Sequence, residues 1–470
     1  MINSTSKKYI YWGLFFHFAA VIFSIGYYNH DEQRQVLQMV GYKLSMIDKS
    51  FLDFQYQSQI RSWLHPIMYV WIGKIYLLFA KPDPFHLAMV FRFFSSLLGI
   101  SSIWVLFKSF KTKLSFEISS ENYFLFSSLM WFIPFLHART SNENLCTSFF
   151  IFGLYFFKKS GKFKDYFWCG FLWAFSFFLR FQMAFMIIPA MIWSLFGDNL
   201  KARLKNFIPF TLGFLLMSII NTLIDFYYYG NLTFTPFNYI EVNFFKHYLT
   251  QFGTSPWYEY VSEGFRYGPK PFSLLFILSF FLFWLKRPKD LITAMTLPFF
   301  IIHSFIGHKE LRFIFPIIMF LPIIMTILLD ELPYINQKKL KIFFLFFNIP
   351  LIIYNSFIPA SSLTIFYRHL YYKSKLVDKI YVFAPYEDYV KFYRKTEIKY
   401  PIINESELHQ IVQNSNYSYF IATSSEQREA FSRETKCHQD YTLAPNWIYE
   451  ISFLKHSKKF KKWSFFECGS

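Results

Sequence analysis

The sequence predicts a polytopic α-helical membrane protein with about eleven to thirteen transmembrane helices and a small α/β lobe at the C-terminal end. Three observations carry this. The 470 residues are 54% hydrophobic and 24% aromatic but only 17% charged, which is too apolar for a soluble enzyme of this size. Apolar runs near the roughly 20 residues that a helix needs to cross hydrocarbon recur from Tyr9 to about Ile358 with short polar breaks. From about Arg368 charge becomes dense, and the pattern changes to short strands alternating with polar helices.

The net charge of +18 does not form one basic patch, and no nucleic-acid-binding pattern accompanies it, so nucleic acid is excluded as a partner. The cations stand instead in clusters between apolar runs: Lys7-Lys8, Lys108 to Lys113, Lys158 to Lys164, Lys201 to Lys205, Lys286 to Lys289 and Lys338 to Lys341. The positive-inside rule holds these loops in the cytoplasm. The four cysteines, Cys146, Cys169, Cys437 and Cys468, have no paired metal spacing, and only the last two are placed to meet, in a non-cytoplasmic tail.

The elements follow in order. The run Tyr9 to Tyr28 lacks a small-residue cleavage site and is a retained first span. It delivers a first outer loop, about 29–64, in which Val36, Leu37, Val40, Leu44 and Ile47 make one apolar stripe beside Gln33, Gln35, Gln38 and Lys43. That is the pattern of a helix lying in the membrane interface. Spans are expected near 123–137, 143–157, 166–180, 181–197, 207–229, 271–285, 291–306, 311–329 and 341–358, with a second large outer loop at about 230–270. Leu64–Ala80 and Phe85–Phe107 both look long enough to cross, but two crossings would put Lys108 to Lys113 outside, so 64–80 is expected to be short, re-entrant or tucked against the outer surface. The domain division is then 1–365 for the membrane part and 366–470 for the lobe, where Ile380–Phe383 and Tyr417–Ala422 read as strands. No internal repeat stands out, and the abundant Phe reads as lipid-facing and interhelical packing.

Several polar constellations interrupt this pattern on the outer side. Asn29-His30-Asp31-Glu32 sets two carboxylates just after the first span; they suit a solvated helix start or a general base whose partner and lipid shielding tune its pKa. Gly307-His308-Lys309-Glu310-Leu311-Arg312-Phe313 packs ionisable groups into a short turn between apolar helices, where charge is costly without a cavity or partner. Arg312 has the fork that binds phosphate by two parallel hydrogen bonds, Lys309 a point charge, and His308 a donor for a departing phosphate oxygen. The loop Asn238 to Pro269 carries Trp257, Tyr258 and Glu259, which suit a sugar face or an interfacial anchor equally. Arg139-Thr140-Ser141-Asn142-Glu143, Arg180-Phe181-Gln182 and Arg92 add further polar breaks on the same side.

These residues resemble the mannosyltransferases of N-glycan and GPI-anchor assembly that use dolichyl-phosphate mannose, within the C-type (GT-C) glycosyltransferase superfamily. His308-Lys309-Glu310-Leu311-Arg312-Phe313 is similar to that family's His-Lys-Glu-x-Arg-Phe signature. Asp31-Glu32 is similar to its acidic pair, Arg61-Ser62 with His65-Pro66 to the end of its first loop, and Arg139-Thr140-Ser141-Asn142 to its Arg-Thr-x-Ser-Asn segment. The likeness runs from about residue 10 to 330. Two departures leave acceptor and exact sugar open: Asn29-His30 replaces the usual His-Pro, and Gly253-Thr254-Ser255-Pro256-Trp257-Tyr258-Glu259-Tyr260 replaces Gly-x-His-Pro-Trp-His-Trp-Tyr.

The resemblance implies a GT-C fold and inverting transfer of mannose from a polyprenyl-phosphate mannose to a glycan or glycolipid acceptor. Asp31 would be the base, with Glu32 orienting the acceptor or tuning Asp31. Arg312, Lys309 and His308 would hold the donor phosphate, and Trp257, Tyr258, Glu259, Arg139, Asn142 and Arg92 would border the sugar or acceptor. Such a cationic clamp needs no cofactor, and no acidic ligand set implies a metal. The membrane would be the endoplasmic reticulum in a eukaryote and the cytoplasmic membrane in a bacterium. The rival reading is a lipid-linked glycan transporter or flippase, which would show two related halves with paired broken helices.

Overall fold

The computed structural model describes residues 3–114, 117–159, 161–196, 204–246, 248–270, 272–332, 336–373, 379–383, 391–394, 398–414, 417–432, 437–443 and 463–469. Residues 201–203 of the basic cluster ending at Lys205 lie outside this description. Two compact units divide the chain. One comprises Met1–Ile22, Asp53–Trp71 and Val90–Phe357, and the other Phe23–Leu52, Ile72–Met89 and Ile358–Ser470.

Outside the C-terminal sheet the described chain is helical and multi-spanning, and several of its helices run from one unit into the other. Pro84–Phe110, Phe207–Tyr229 and the run Gln337–Lys373 are long and apolar enough to cross by themselves, and Phe181–Trp193, Phe272–Lys286 and Leu291–Phe305 are shorter apolar helices. Leu311–Ile318 and Leu321–Glu331 form a pair bent by 52°. Pro316 and Pro322 sit at the first positions of the two helical segments on either side of the bend, where a missing backbone N–H is tolerated and a continuous helix is not. The segment 64–80 forms the helix Leu64–Leu77 of 14 residues, shorter than the roughly 20 needed for a crossing.

Phe207–Tyr229 shows how lipid inverts the usual amphipathic logic. Its buried face carries Gly213, Met217, Asn221 and Asp225 at four-residue spacing, while Leu212, Leu215, Leu216, Ile219, Leu223 and Phe226 are exposed. The polar stripe is therefore the inward one, as expected where the surroundings are hydrocarbon. Small residues let this helix pack tightly on Phe163–Leu179: a Cβ on Gly213 would sit 2.0 Å from the Phe167 carbonyl oxygen, and one on Gly170 2.0 Å from that of Phe210. Reciprocal glycines of this kind permit backbone contact between spanning helices.

The span expected at 123–137 is broken into Glu117–Leu129 and Ile133–His137. The break frees backbone groups that have no water to turn to, and one buried residue satisfies two of them. Asn348 donates from Nδ2 to the Leu129 carbonyl and accepts at Oδ1 from the Trp131 N–H at 3.0 Å.

In the second unit, Glu32–Leu37 is a π-helical turn running into the helix Gln38–Lys43. Gln33, Gln35 and Gln38, expected beside the apolar stripe of an interfacial helix, are buried along with Val36, Leu37 and Val40. The wider π turn rotates successive side chains off the 3.6-residue register on which the stripe was drawn. Gly26, at φ 95°, occupies a left-handed position that favours glycine, and its neighbour Ile25 accepts the Ala360 and Ser361 N–H groups at 2.9 and 3.2 Å.

The C-terminal lobe holds a five-stranded mixed sheet. Its strands are β1 (Tyr381–Phe383), β2 (Ile402–Ile403), β3 (Tyr417–Ala422), β4 (Cys437–Thr442) and β5 (Ser464–Gly469), in the order β2-β1-β3-β5-β4. β1 runs parallel to β2 and β3, and β5 antiparallel to β3 and β4. Phe383, Ile403, Leu408, Val412, Phe420, Phe431 and Phe466 form its core with the helix Glu405–Asn414 and the helix Ser425–Ser432. Cys437 and Cys468, directly opposite on β4 and β5, are joined by a disulfide.

Candidate active site

A chain of buried charges converges at one end of the first unit. The consecutive helices Asn142–Lys159 and Phe163–Leu179 pack side by side, and the start of one meets the end of the other. Glu143 lies in the first turn of the former and Arg180 caps the latter, each at the helix end whose dipole favours its charge. Arg180 Nη1 is 2.5 Å from Glu143 Oε1, with both side chains under 5% exposed. Arg312, 7% exposed, brings its own Nη1 to 3.5 Å from the same oxygen.

Arg312 also engages Glu310 through two parallel bonds, Nε to Oε2 at 2.7 Å and Nη2 to Oε1 at 2.8 Å. The Phe313 ring lies 5.1 Å from both the Arg180 and Arg312 guanidinium carbons, a cation–π contact for each. His308 Nε2 stands 3.3 Å from Glu310 Oε1. That hydrogen bond is the main cause lifting the His308 pKa above its ordinary value. Burial alone would raise the Glu310 pKa, but hydrogen bonds from His308 and Arg312 outweigh it and hold the carboxyl well below the usual range. Glu310 is thus a fixed anion that favours the charged form of His308 and orients the Arg312 fork.

The loop Phe252–Ser255 fixes the other side of this turn. Ser255 N–H donates to the Gly307 carbonyl at 2.9 Å, and Lys309 Nζ donates to the carbonyls of Ser255 at 2.8 Å and Ile306 at 2.6 Å. Partial burial pushes the Lys309 pKa down from its ordinary value. Gly253, at φ 87°, sets the turn that offers its carbonyl to His308 Nδ1 at 3.3 Å. Trp257 and Tyr258 follow, 66% and 51% exposed, and Glu259 opens the helix Glu259–Tyr267.

The remaining residues singled out by sequence are placed as follows. Asn142 Oδ1 contacts His65 Nδ1 in a short hydrogen bond. Arg139 is 1% exposed, its guanidinium 4.9 Å from the Phe135 ring. Arg92 is buried and donates from Nε to the Val21 carbonyl at 2.9 Å. Asp31 and Glu32 belong to the second unit. There Glu32 is buried, accepts the Tyr28 N–H at Oε2 at 3.0 Å, and donates its own N–H to Asn29 Oδ1 at 3.0 Å, while Asp31 is half-buried.

Two groups stand out only in three dimensions. Glu143 and Arg180, which the sequence marks merely as polar breaks, bridge to Arg312. Asp225 was not legible as a site residue at all, yet it accepts from Ser62 Oγ at 3.1 Å, Trp63 N–H at 2.7 Å, Asn221 Nδ2 at 2.9 Å and Thr235 Oγ1 at 3.2 Å. It ties the end of the first loop to a spanning helix. The signal for it was a lone carboxylate in an otherwise apolar span.

A mostly helical, multi-span chain with a C-terminal mixed sheet has the GT-C fold of a solved membrane protein. The crystal structure of ArnT from Cupriavidus metallidurans in the apo state matches with a TM-score of 0.59 at 12% identity, covering 98% of this chain and 97% of that one. The same protein bound to undecaprenyl phosphate matches with a TM-score of 0.54 at 12% identity, again over 98% and 97%. In sequence, GPI mannosyltransferase 3 of Candida albicans is 28% identical over 271 residues, 57% of this chain and 53% of the relative. This chain spans about half the length of that relative. The model of the Alg9-like mannosyltransferase family matches residues 9–383, and the chain belongs to that family.

Proposed function

We propose that the protein is an inverting α-mannosyltransferase that transfers mannose from a polyprenyl-phosphate mannose to a glycan or glycolipid acceptor of the GPI type, at the outer (lumenal) face of the endoplasmic reticulum. Family membership supports mannosyl transfer. The relative named GPI mannosyltransferase 3 supports the acceptor class, and the undecaprenyl phosphate held by a similarly folded protein supports a lipid-phosphate donor.

The observation that carries the reading is the buried Arg312, oriented by Glu310 and Glu143 beside Arg180. Its geometry suits an anion whose charge grows during reaction, because preorganised cations in a water-poor site need no reorientation when the charge develops. In the proposed step Asp31 takes the proton of the acceptor hydroxyl and that oxygen bonds to C1 of mannose from the face opposite the phosphate. The C1–O bond breaks, its electron pair remaining on the phosphate. Arg312 stabilises that phosphate with Lys309, and protonated His308 donates to it. Glu32 orients the acceptor or tunes Asp31; Trp257, Tyr258, Glu259, Arg139, Asn142 and Arg92 border the sugar and acceptor. A metal has no part in this scheme.

Mannose transfer from dolichyl-phosphate mannose to a mannosylated GPI-type glycolipid by purified, reconstituted protein tests it. Wild-type transfer with loss of at least a thousandfold in Asp31→Asn is expected. No transfer above the protein-free rate would overturn the reading, and near-normal turnover of Asp31→Asn would remove the assigned base.

A further inference from the structure

The geometry points to a hexose-binding subsite next to the Arg180–Arg312 pair, built from Tyr260, His303, Glu263 and Gln182, that holds the hydroxyls of the donor sugar. It rests on the reading of Arg312 as the contact for the donor phosphate and assigns the ring attached to that phosphate.

The starting observation is a set of buried polar atoms without hydrogen-bond partners among the described residues: Tyr260 Oη, His303 Nε2, Glu263 Oε2 and Gln182 Oε1. Tyr260 and His303 are each only 2% exposed. Leaving such a group unpaired costs about 1–3 kcal/mol, so a ligand that supplies the missing partners is favoured there. Glu259–Tyr267, which carries Tyr260 and Glu263, and Leu291–Phe305, which carries His303, both pack against the segment Leu311–Ile314 that carries Arg312. Tyr260 lies within electrostatic reach of Arg180, Glu263, Glu310 and Arg312, His303 within reach of Arg180, and Gln182 follows Arg180 by two residues. Tyr260 and Glu263 stand one turn apart on the helix Glu259–Tyr267, and Phe300 and His303 one turn apart on Leu291–Phe305. The Tyr260 and Phe300 rings, 6.4 Å apart, join the two faces.

The chemistry of the orphan atoms selects the ligand. His303 Nδ1 is 2.9 Å from the Phe299 carbonyl, which accepts only, so the proton is on Nδ1 and Nε2 offers a lone pair. Gln182 uses its amide nitrogen on Tyr239 Oη at 2.5 Å, leaving its carbonyl oxygen. Glu263 adds a carboxylate oxygen. Three acceptors and one hydroxyl require a ligand rich in donors, which excludes an ionised phosphate and suits a ring bearing several O–H groups. Phe299 and Phe185, with centroids 4.1 and 5.6 Å from the His303 imidazole, clamp that ring in place.

The test compares two lipids on the full-length protein in detergent: dolichyl-phosphate mannose, and dolichyl phosphate without the sugar. Tyr260→Phe and His303→Phe keep a ring in each position and remove the orphan atom, so the ligand-free variants should unfold at or above the wild-type temperature. Each is expected to weaken binding of the mannosylated lipid about fivefold to tenfold, the worth of one neutral hydrogen bond, and to leave dolichyl phosphate binding unchanged. Equal weakening for both lipids, or none for either, would overturn the subsite, as would a lower unfolding temperature in both variants. Wild-type protein that binds neither lipid would overturn the proposed function itself.

Discussion

Glu143 and Arg180 form an ion pair of 2.5 Å between the start of one buried helix and the end of its neighbour, both side chains under 5% exposed. Water cannot take over either charge once its partner is gone. Removing one member of such a pair costs about 3–5 kcal/mol, far more than the pair contributes over an apolar replacement. Glu143→Ala should therefore destabilise the protein in that range by chemical or thermal unfolding in detergent. Glu143→Leu combined with Arg180→Leu should recover much of the loss. A single-mutant cost under about 1 kcal/mol would mean that the guanidinium is satisfied elsewhere.

The turn 307–310 predicts a pH dependence whose sign can be fixed. His308 has its pKa raised by Glu310, so its charged, paired form is complete below its ordinary value near 6.5 and is lost as pH rises through the raised value. Glu310 is depressed, so its contribution is complete above its ordinary value near 4.3 and is lost only as pH falls through the lowered one. Transfer should decline on the alkaline side, and His308→Gln should remove that limb while leaving the acidic limb in place. An alkaline limb unchanged in His308→Gln would contradict the pairing.

Gly213 and Gly170 allow two spanning helices to touch through their backbones. Gly213→Val puts a branched side chain where even a Cβ would sit 2.0 Å from a carbonyl oxygen. The helices must separate, and the interior contacts of Asp225 on the same helix go with them. Loss of folded, monodisperse protein in detergent is expected, or a fall of several kcal/mol in stability; wild-type stability would show that the packing is looser than described.

The disulfide closes a stretch with a sequence separation of 31 across neighbouring strands. Chain-entropy reasoning assigns such a crosslink about 2–4 kcal/mol. Cys437→Ser with Cys468→Ser should make the lobe markedly more sensitive to limited proteolysis while the free thiols Cys146 and Cys169, both buried, stay protected from alkylation. Equal proteolysis of the two proteins would show that the lobe does not depend on the bond.

Much of this architecture was legible in the sequence because lipid imposes long apolar runs. The helix Phe207–Tyr229 lies at the expected bounds, and the ends of Phe272–Lys286 and Leu291–Phe305 fall within one residue of theirs. The break at residues 130–132 was hidden because the residue that compensates it, Asn348, lies more than two hundred positions away. β4 was hidden because Cys437–Thr442 is polar and half-buried, and β5 because its buried run stands at the very end of the chain. At the site, the 307–313 turn was visible as clustered charge, but Glu143 and Arg180 acquire meaning only through the side-by-side helices that bring them together. The glutamines near residue 35 misled because a π turn breaks the period on which an amphipathic stripe is read.

As the proposed contact for the donor phosphate, Arg312 should govern donor saturation kinetics. With polyprenyl-phosphate mannose as the varied substrate, Arg312→Ala should lower kcat/KM by at least a hundredfold, about 2.7 kcal/mol of lost transition-state stabilisation, in protein that remains folded. Arg312→Lys, which keeps charge but loses the fork, should fall between. Donor saturation indistinguishable from wild type in folded Arg312→Ala protein would show that Arg312 does not hold the donor phosphate.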